Sequence, residues 1–517
     1  MNQKYLYSFE AKEIQKFILQ GDKLKEMIGG SEIVSRLCDE FLKKTLKELG
    51  GEHEIIANAA GWGRIIFHSK NGLEQFYAHW PMLAAQFAPG LQVIQAVVEL
   101  PDENNLLGAI DEINRLLRLE RNVIIPLLPE ITPLVDRNLR TGLAAVIRHA
   151  KDDGLLDRQA VRKRSYEGQS LTISRQLNTD GLTWPEDFER IVDEESSFLA
   201  IIHADGNDLG STLIRIKEHI ESSSSDPKEI YGKFSEVIDQ STVGATQYAF
   251  DKVLKPAANA RKDNNKGVIP GRPIVLGGDD LTIIVRADLA FDFIVDFLQE
   301  FESQSEKKIK ELLGEKGLPQ KLTACAGIAF VKKNYPFVHG YELAESICGY
   351  TKQQAKQNKF TIAKDPSNTE YIPSSFAFHK NTSSIAGDYG EVCHRELTSR
   401  NREIKLWSGP YAVSDSCESL LTFSKLKELS TSLCKLPGGS VRELIADLHI
   451  DGELAKKRFN RMLQVADEDA KSQLTAALKG VGINEGVVTD TKHTALLDAH
   501  TMNSLTGKRE EDNNDNG

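Results

Sequence analysis

Two short apolar runs separated by a glycine-aspartate turn constrain the fold of this chain more than any other stretch. The runs at 273–276 and 281–285 flank the turn 277–280, which reads Gly-Gly-Asp-Asp. Short runs rich in Ile and Val, punctuated by glycine, predict a buried β-hairpin. Gly277 and Gly278 allow positive φ and leave room for a ligand to approach the backbone.

The tip of this predicted hairpin places Asp279 and Asp280 side by side. Adjacent carboxylates at the end of buried strands repel each other unless a cation or hydrogen bonds compensate them. Mg²⁺ and Mn²⁺ prefer oxygen ligands of this kind. An ordinary acidic turn is the alternative interpretation, because glycine and aspartate are common turn formers.

The pattern around the hairpin occurs twice along the chain. The first hundred residues read βαββαβ, with strands at 5–9, 54–58, 64–67 and 91–100 and a helix over 31–49 that Ser31 is expected to cap. The second copy starts with the apolar run 198–202 and contains the hairpin, a helix at 288–313 and a strand at 322–331. Both predict an α+β ferredoxin-like domain, in which helices cover one face of an antiparallel sheet. The hairpin of the first copy, at 60–63, has no carboxylate, so the second copy is expected to carry the chemistry.

The first strand of the second copy ends at Asp205. In a ferredoxin-like sheet this strand lies beside the central hairpin, so we expect Asp205 to lie near Asp279 and Asp280. Three carboxylates at strand ends fit a two-metal phosphoryl-transfer site. Gly206 and Gly210 would let a triphosphate approach the backbone and the start of the next helix.

Four further residues near this predicted site each have two interpretations. Asp208 is a helix N-cap or a fourth acid, and capping is favoured. His203 is expected to be a satisfied strand residue rather than a general base. Lys352 and Lys356 share one face of a helix predicted over 341–357, and they reach the triphosphate if that helix packs over the hairpin. Solvation at the surface is their alternative.

The segments outside the two copies are predicted to be mostly helical. The predicted organisation is a first domain at 1–100, a helical linker at 101–196, the second domain at 197–380, a helical C-terminal domain at 381–505 and a disordered tail at 506–517. Helices are expected at 111–118 and 139–150 in the linker. The basic residues Arg158, Arg162, Lys163 and Arg164 predict a solvated face, with phosphate contact as the alternative.

Composition limits the class of protein. A chain of 517 residues is too long for one core. Its net charge of −11 argues against a general nucleic-acid-coating surface, although a local basic groove is compatible with it. The six cysteines are scattered without a Cys-x-x-Cys pair, which predicts neither a disulfide framework nor a zinc ribbon. We expect a cytoplasmic protein without a membrane partner, because no signal peptide or membrane-length apolar run is present.

An ordered series of motifs over roughly residues 1–410 resembles one protein family. The segments 7–18, 25–31, 203–210, 277–280 and 374–379 are similar to motifs of the large polymerase-like subunit of type III CRISPR effector complexes. This resemblance implies two palm domains, the second of which joins ATP into cyclic or linear oligoadenylates that act as an antiviral defence signal. Guide and target RNA and other effector-complex subunits are the implied partners.

The resemblance also implies roles for individual residues. Asp205, Asp279 and Asp280 would be the catalytic acids that bind two Mg²⁺ or Mn²⁺ ions. Gly277, Gly278 and Lys356 would contact the nucleotide.

The chain departs from the family pattern in two places. It starts directly in the first palm and contains no His-Asp dipeptide, so we expect no HD nuclease domain and no cleavage of single-stranded DNA. The segment 132–145 resembles the family's zinc element without its cysteines. These departures predict a trimmed or stand-alone relative and leave its assembly with guide RNA and backbone subunits open.

Two other functions stay compatible with the sequence. One is a diguanylate cyclase, although the usual Gly-Gly-Asp/Glu-Glu-Phe turn differs from the Gly-Gly-Asp-Asp-Leu at 277–281. The other is a scaffold that binds nucleotide or RNA without turnover. The presence of all three predicted metal-binding acids argues against a scaffold without catalytic activity.

Overall fold

Two open β-sheets with helices packed on them form the frame of the molecule. The computed structural model describes residues 3–21, 23–59, 61–100, 106–123, 134–149, 154–166, 172–193, 197–223, 227–261, 264–313, 320–361, 370–383 and 387–507. The α+β fold class predicted from the sequence is confirmed. None of the helices in this described part of the chain has the length and apolar character needed to cross a membrane.

The first sheet has four antiparallel strands in the order β2-β3-β1-β4, which is the ferredoxin-like arrangement. The elements of this first unit are β1 (Lys4–Lys12), α1 (Ile14–Leu19), α2 (Leu24–Arg36), α3 (Leu42–Leu49), β2 (His53–Ala59), β3 (Trp62–Phe67), α4 (Lys70–Phe87) and β4 (Gln92–Leu100). Strand β1 has apolar side chains on both faces of the sheet. Tyr7 and Phe9 pack under the helices, whereas Leu6 joins a separate core on the opposite face.

Two sequence predictions for this unit are wrong. Ser31 caps no helix, because α2 begins at Leu24 and continues through a wider π-type turn (Leu37–Phe41) into α3. Helices do not cover only one face of the sheet, because a further helix, α5 (Leu106–Arg121), buries Ile110 and Ile113 against the second face. Two apolar faces on one sheet require cover on both sides.

The segment between the two sheets is only partly helical. After α5, which contains the helix predicted at 111–118, come β5 (Ala145–His149), β6 (Gly154–Asp157), α6 (Arg158–Arg164) and α7 (Thr172–Gln176). The helix predicted over 139–150 is therefore wrong, since β5 and β6 pair as an antiparallel hairpin. The β-branched residues Val146 and Ile147 favour a strand at this position.

Buried hydrogen bonds hold the turn that precedes this hairpin. The carboxylate of Asp157, almost fully buried, accepts hydrogen bonds from the Asn138 amide at 2.6 Å and the Thr141 hydroxyl at 2.7 Å. The same carboxylate accepts from the backbone N–H of Ala160 at 2.9 Å. A hydrogen-bonded aspartate thus fixes the segment that resembles a zinc element without cysteines.

Of the four basic residues predicted to form a solvated face, Arg158 is exposed, whereas Lys163 and Arg164 are internal. Lys163 is fully buried, and its ammonium donates to the carbonyls of Phe17 and of Gln20, the latter at 3.0 Å. Burial lowers the pKa of Lys163 to about 8. The Arg164 guanidinium donates to the buried Glu26 carboxylate at 2.8 Å. These two cations therefore fasten α6 to α1 and α2, and neither the solvated face nor phosphate contact describes them.

The second sheet has six strands in the order β14-β13-β10-β7-β9-β8. The elements of this second unit are β7 (Phe198–Gly206), α8 (Leu209–Ser223), α9 (Pro227–Ala249), α10 (Lys255–Ala260), β8 (Gly271–Gly277), β9 (Asp280–Arg286), α11 (Ala290–Leu313), β10 (Ala324–Lys332), α12 (Phe337–Gln357), β11 (Phe360–Thr361), β12 (Glu370–Tyr371), β13 (Ser375–Lys380), α13 (Tyr389–Arg395) and β14 (Tyr411–Ala412). The hairpin β8–β9 and the closing strand β10 stand where the sequence predicted them. Strand β13 runs parallel to β10 and extends the ferredoxin-like core.

Successive side chains of β7 point to opposite faces of the second sheet, and each face is covered by different helices. Ala200 and Ile202 pack in one core with α9 and α11. Leu199 and Ile201 point to the other face, where they share a core with α12 and with the first unit. His203 and Asp205 follow Leu199 and Ile201 in this alternation, so they lie on the α12 side of the sheet.

The C-terminal part of the described chain is helical, as predicted. It contains α14 (Phe423–Leu433), α15 (Gly438–Ile450), α16 (Gly452–Val465), α17 (Glu468–Gly480) and α18 (Leu496–Thr506). Phe423 stacks on Phe291 of α11 at 5.8 Å between ring centroids, so these helices share the core of the second sheet. The disordered tail was predicted at 506–517; Thr506 is instead the last residue of α18, and residues from 508 onward lie outside the described residues.

Gly29 permits the close packing of α6 on α2, and its substitution tests that packing. A Cβ at Gly29 would lie 2.0 Å from the carbonyl oxygen of Lys163, a backbone atom. We therefore expect Gly29→Ala to lower the free energy of unfolding by about 2 kcal/mol, measured by urea denaturation. Gly349→Ala on α12 is the control, since its new Cβ meets nothing within 4 Å; it should stabilise by roughly 0.5 kcal/mol. Equal stability of the two variants would contradict the packing.

Candidate metal and nucleotide site

Three carboxylates meet at one end of the second sheet. Asp205 is the penultimate residue of β7, Asp279 lies in the β8–β9 turn, and Asp280 begins β9. One oxygen from each carboxylate can be chosen so that all three lie within 4.8 Å of one another. The predicted approach of Asp205 to the hairpin is confirmed, because β7 and β9 are hydrogen-bonded neighbours with Ala204 opposite Leu281.

The turn that carries Asp279 is fastened from behind by α9. The backbone N–H of Gly278 donates to the Asp239 carboxylate at 3.0 Å, and the Thr242 hydroxyl donates to the Gly278 carbonyl at 2.6 Å. Gly278 has φ +59°, a left-handed conformation that favours glycine. These contacts hold the turn rigidly while its carboxylates face the opposite side.

Gly206 is needed for the carboxylates to come together. A Cβ at this position would lie 2.9 Å from the Cβ of Asp279, so a larger residue would push the turn away from β7. Gly210 is exposed near the start of α8, and a Cβ there would meet nothing within 4 Å. Contact of Gly206, Gly210, Gly277 or Gly278 with nucleotide stays a prediction.

Burial and mutual repulsion perturb the acids strongly. Desolvation, with the charge of Asp205 next in size, raises the pKa of Asp279 to about 6. Desolvation and the charge of Asp279 raise the pKa of Asp280 to about 8. Such crowded carboxylates favour a divalent cation, which removes the repulsion that raises their pKa values. The donor set, oxygen atoms only, fits Mg²⁺ or Mn²⁺.

Lys352 of α12 supplies a positive charge to this cluster. Its ammonium forms an ion pair with the Asp205 carboxylate and donates to the carbonyl oxygen of Gly206 at 2.8 Å. Helix α12 therefore packs over the site, as the nucleotide interpretation required, and surface solvation does not describe Lys352. Lys356, one turn further along α12, is exposed, and its contact with phosphate stays a prediction.

The two neighbouring residues with alternative interpretations are not part of the acidic cluster. Asp208 stands directly before α8, at the N-cap position, and its carboxylate accepts a hydrogen bond from the Ser211 hydroxyl at 2.8 Å. His203 is 4% exposed and its Nδ1 lies 3.1 Å from the Thr282 hydroxyl. Burial lowers the pKa of His203 to about 4. A satisfied, neutral strand histidine is the correct interpretation.

Asp280 lines a cleft of about 1020 Å³ between the two units, and Asp205 and Asp279 adjoin Asp280 in the cluster. The first unit lines it with polar side chains of α1 and α2, including Gln15, Lys16 and Ser35. The second unit adds Tyr341 and Glu345 of α12. This volume suits a nucleotide-sized ligand.

Sequence analysis missed Tyr341, Glu345 and the polar wall of α1. The helical spacing of Tyr341 and Glu345 from Lys352 was a usable signal, because residues four and seven apart share one face of a helix. Nothing in the sequence placed α1 opposite the hairpin, since that contact joins two distant parts of the chain.

Comparison with known proteins agrees with this geometry. Residues 198–361 match the family model described as Cas10/Cmr2, second palm domain. The resemblance to the large subunit of type III CRISPR complexes is confirmed. A comparison with curated protein sequences gives no match.

One solved structure shares the overall fold of the chain. Csm1 from T. onnurineus has a TM-score of 0.51 and 14% sequence identity, covering 98% of this chain and 70% of that one. A Csm1–Csm4 cassette in complex with pppApApA has a TM-score of 0.47 and 15% identity, covering 98% of this chain and 69% of that one.

The perturbed acids make stability depend on pH. Carboxyls of an unfolded chain titrate near pH 4, whereas those of Asp279 and Asp280 titrate at about 6 and about 8 in the fold. The folded protein therefore holds more protons in this window, and its stability falls as pH rises through it. In EDTA, we expect Asp280→Asn to gain on the order of 2 kcal/mol relative to wild type between pH 5 and pH 8, measured by urea unfolding.

Asp208→Asn is the matched control, because Asp208 lies outside the cluster. Its stability should follow that of the wild type across the same pH range. Adding Mn²⁺ at pH 8 should stabilise the wild type but not Asp280→Asn. A wild type that gains stability from pH 5 to pH 8 in step with Asp280→Asn would show that the acids are not strained.

Proposed function

We propose that this chain is a metal-dependent nucleotidyltransferase that joins ATP into a cyclic or linear oligoadenylate signal in antiviral defence. The reaction is the attack of a ribose hydroxyl on an α-phosphate, with release of pyrophosphate. The observation that carries the proposal is the convergence of Asp205, Asp279 and Asp280, of which Asp280 lines a nucleotide-sized cleft. The family match of this palm domain supports phosphoryl transfer as the chemistry.

The three acids and the Gly206 carbonyl would hold two divalent ions. When bound, such ions lower the pKa of the attacking hydroxyl and offset the charge on the phosphates. Asp279 and Asp280 would be ionised in that state, because a cation reverses the repulsion that raises their pKa values. The rigid turn behind them keeps the carboxylates in place, so little reorganisation is needed during the reaction.

Lys352 has a second role in this proposal. In the structure its ammonium neutralises Asp205 and caps the Gly206 carbonyl. A cation at the acids would free the ammonium to contact the phosphates of the substrate, which is the interaction expected of a flexible lysine. Lys356 would extend the same positive face of α12, and Gly277 and Gly278 would border the nucleotide.

ATP as substrate and an RNA-containing complex as the setting come from the family resemblance. Guide and target RNA and other effector subunits are therefore the partners we propose.

A product assay tests the proposal. Purified protein is incubated with each labelled NTP and Mg²⁺ or Mn²⁺, with and without candidate RNA, and the products are resolved. We expect pyrophosphate release and oligomers with ATP, and a loss of ~10³-fold in Asp279→Ala/Asp280→Ala, because each ion contributes several kcal/mol to such a transition state. Asp208→Asn, outside the cluster, should retain the activity.

The other outcomes separate the alternatives. Dimer formation from GTP alone would replace the proposal by a diguanylate cyclase. The lack of any product under all conditions, in a protein that still assembles with its partners, would leave a scaffold.

A further inference from the structure

Tyr341 carries a buried hydroxyl that has no role in the proposed reaction. The side chain is 3% exposed and lies on the face of α12 that lines the cleft beside Asp280. Its ring packs edge-on against His203 at 5.6 Å between centroids. The hydroxyl oxygen has no hydrogen-bond partner among the residues that the structure describes.

An unpartnered buried hydroxyl is unusual in a folded protein. Buried polar groups nearly always have a hydrogen-bond partner, because leaving one unmade costs more than a typical bond contributes. A phenylalanine would fill the same space without that cost. A hydroxyl retained next to a ligand-sized cleft therefore indicates that a ligand completes its hydrogen bonding.

Glu345 lies one helical turn after Tyr341 and lines the same cleft. Its side chain is exposed to the cleft. Partial burial and the charges of Glu342 and Asp205 raise the pKa of Glu345, and the nearby Tyr341 hydroxyl partly offsets that rise. The two groups therefore lie close together, although their geometry is not that of a hydrogen bond.

We propose that the Tyr341 hydroxyl and the Glu345 carboxylate together bind a ribose hydroxyl of the nucleotide held at the acidic cluster. This inference rests on the proposed function and assigns the sugar contact within the same site. The pair would make this cleft selective for ribonucleotides over deoxyribonucleotides.

The chemistry of the surroundings selects a sugar hydroxyl as the ligand group. Tyr341 donates a hydrogen bond and Glu345 accepts one, so the ligand group must do both, as an alcohol does. A phosphate is disfavoured at this spot, because Asp280, Glu342 and Glu345 place negative charge around it. A ribose hydroxyl also belongs next to the acids, since it is the group that attacks in the proposed reaction.

Binding of sugar-modified nucleotides tests the pair directly. The affinities of ATP, 2′-deoxy-ATP and 3′-deoxy-ATP are measured by calorimetry with Ca²⁺ in place of Mg²⁺, so that turnover does not interfere. We expect the wild type to bind ATP about 10-fold more tightly than the analogue that lacks the recognised hydroxyl. The two analogues show whether the 2′ or the 3′ hydroxyl is bound. In Tyr341→Phe this preference should fall below about 2-fold.

Tyr350→Phe is the matched control on the same helix. The Tyr350 hydroxyl accepts a hydrogen bond from the Trp407 indole at 3.1 Å and does not line the cleft. This variant should keep the wild-type preference for ATP and lose some stability. Tyr341→Phe, in contrast, should be at least as stable as the wild type without nucleotide, because it removes only an unpartnered group.

Three results would overturn the inference. They are an unchanged preference in Tyr341→Phe, equal affinities of the wild type for ATP and both analogues, and a loss of stability in Tyr341→Phe without nucleotide. The last result would mean that the hydroxyl has a partner inside the protein. A wild type that binds no nucleoside triphosphate at all would instead overturn the proposed function, and the sugar contact with it.

Discussion

Three carboxylates that repel one another meet at one end of the second sheet, and the surrounding elements hold them there. Strand pairing brings Asp205 beside the hairpin, Gly206 leaves room for Asp279, and α9 fastens the turn from behind. Lys352 places a positive charge beside these three carboxyl groups, in an ion pair with Asp205. A fold that concentrates uncompensated charge in this way stores electrostatic strain, and binding of a divalent cation is the most direct way to relieve it.

The two units contribute differently to the cleft although they share a fold. The second unit supplies Asp280 of the acidic cluster, and the first supplies a wall built on α1 and α2. That wall is held in place from inside, because the buried ammonium of Lys163 bonds to carbonyls at the end of α1, and Arg164 pairs with Glu26 of α2. The segment between the sheets thus acts on the site at a distance, by fixing the position of the wall opposite the acids.

The sequence was sufficient to predict the strands and the position of the acids where the local pattern and the geometry of the fold agree. The hairpin at 277–280, the repeated βαββαβ order and the approach of Asp205 follow from short-range periodicity and from the strand order of a ferredoxin-like sheet. Predictions failed where tertiary contacts override local preference. Lys163 and Arg164 belong to a run of basic residues, which is typical of a solvated face. In the fold they are buried, and they bind carbonyl groups and a carboxylate from distant parts of the chain. Tyr341 and the α1 wall of the cleft depend on contacts between chain segments far apart in sequence, which periodicity does not report.

We infer that the acidic cluster binds divalent cations. Titration of Mn²⁺ with protein at pH 8, followed by the loss of the free-ion EPR signal, measures this most directly. We expect saturable binding to the wild type, tighter binding to Lys352→Met, and binding weakened more than about 10-fold in Asp205→Asn/Asp280→Asn. Equal Mn²⁺ binding by the wild type and Asp205→Asn/Asp280→Asn would contradict it.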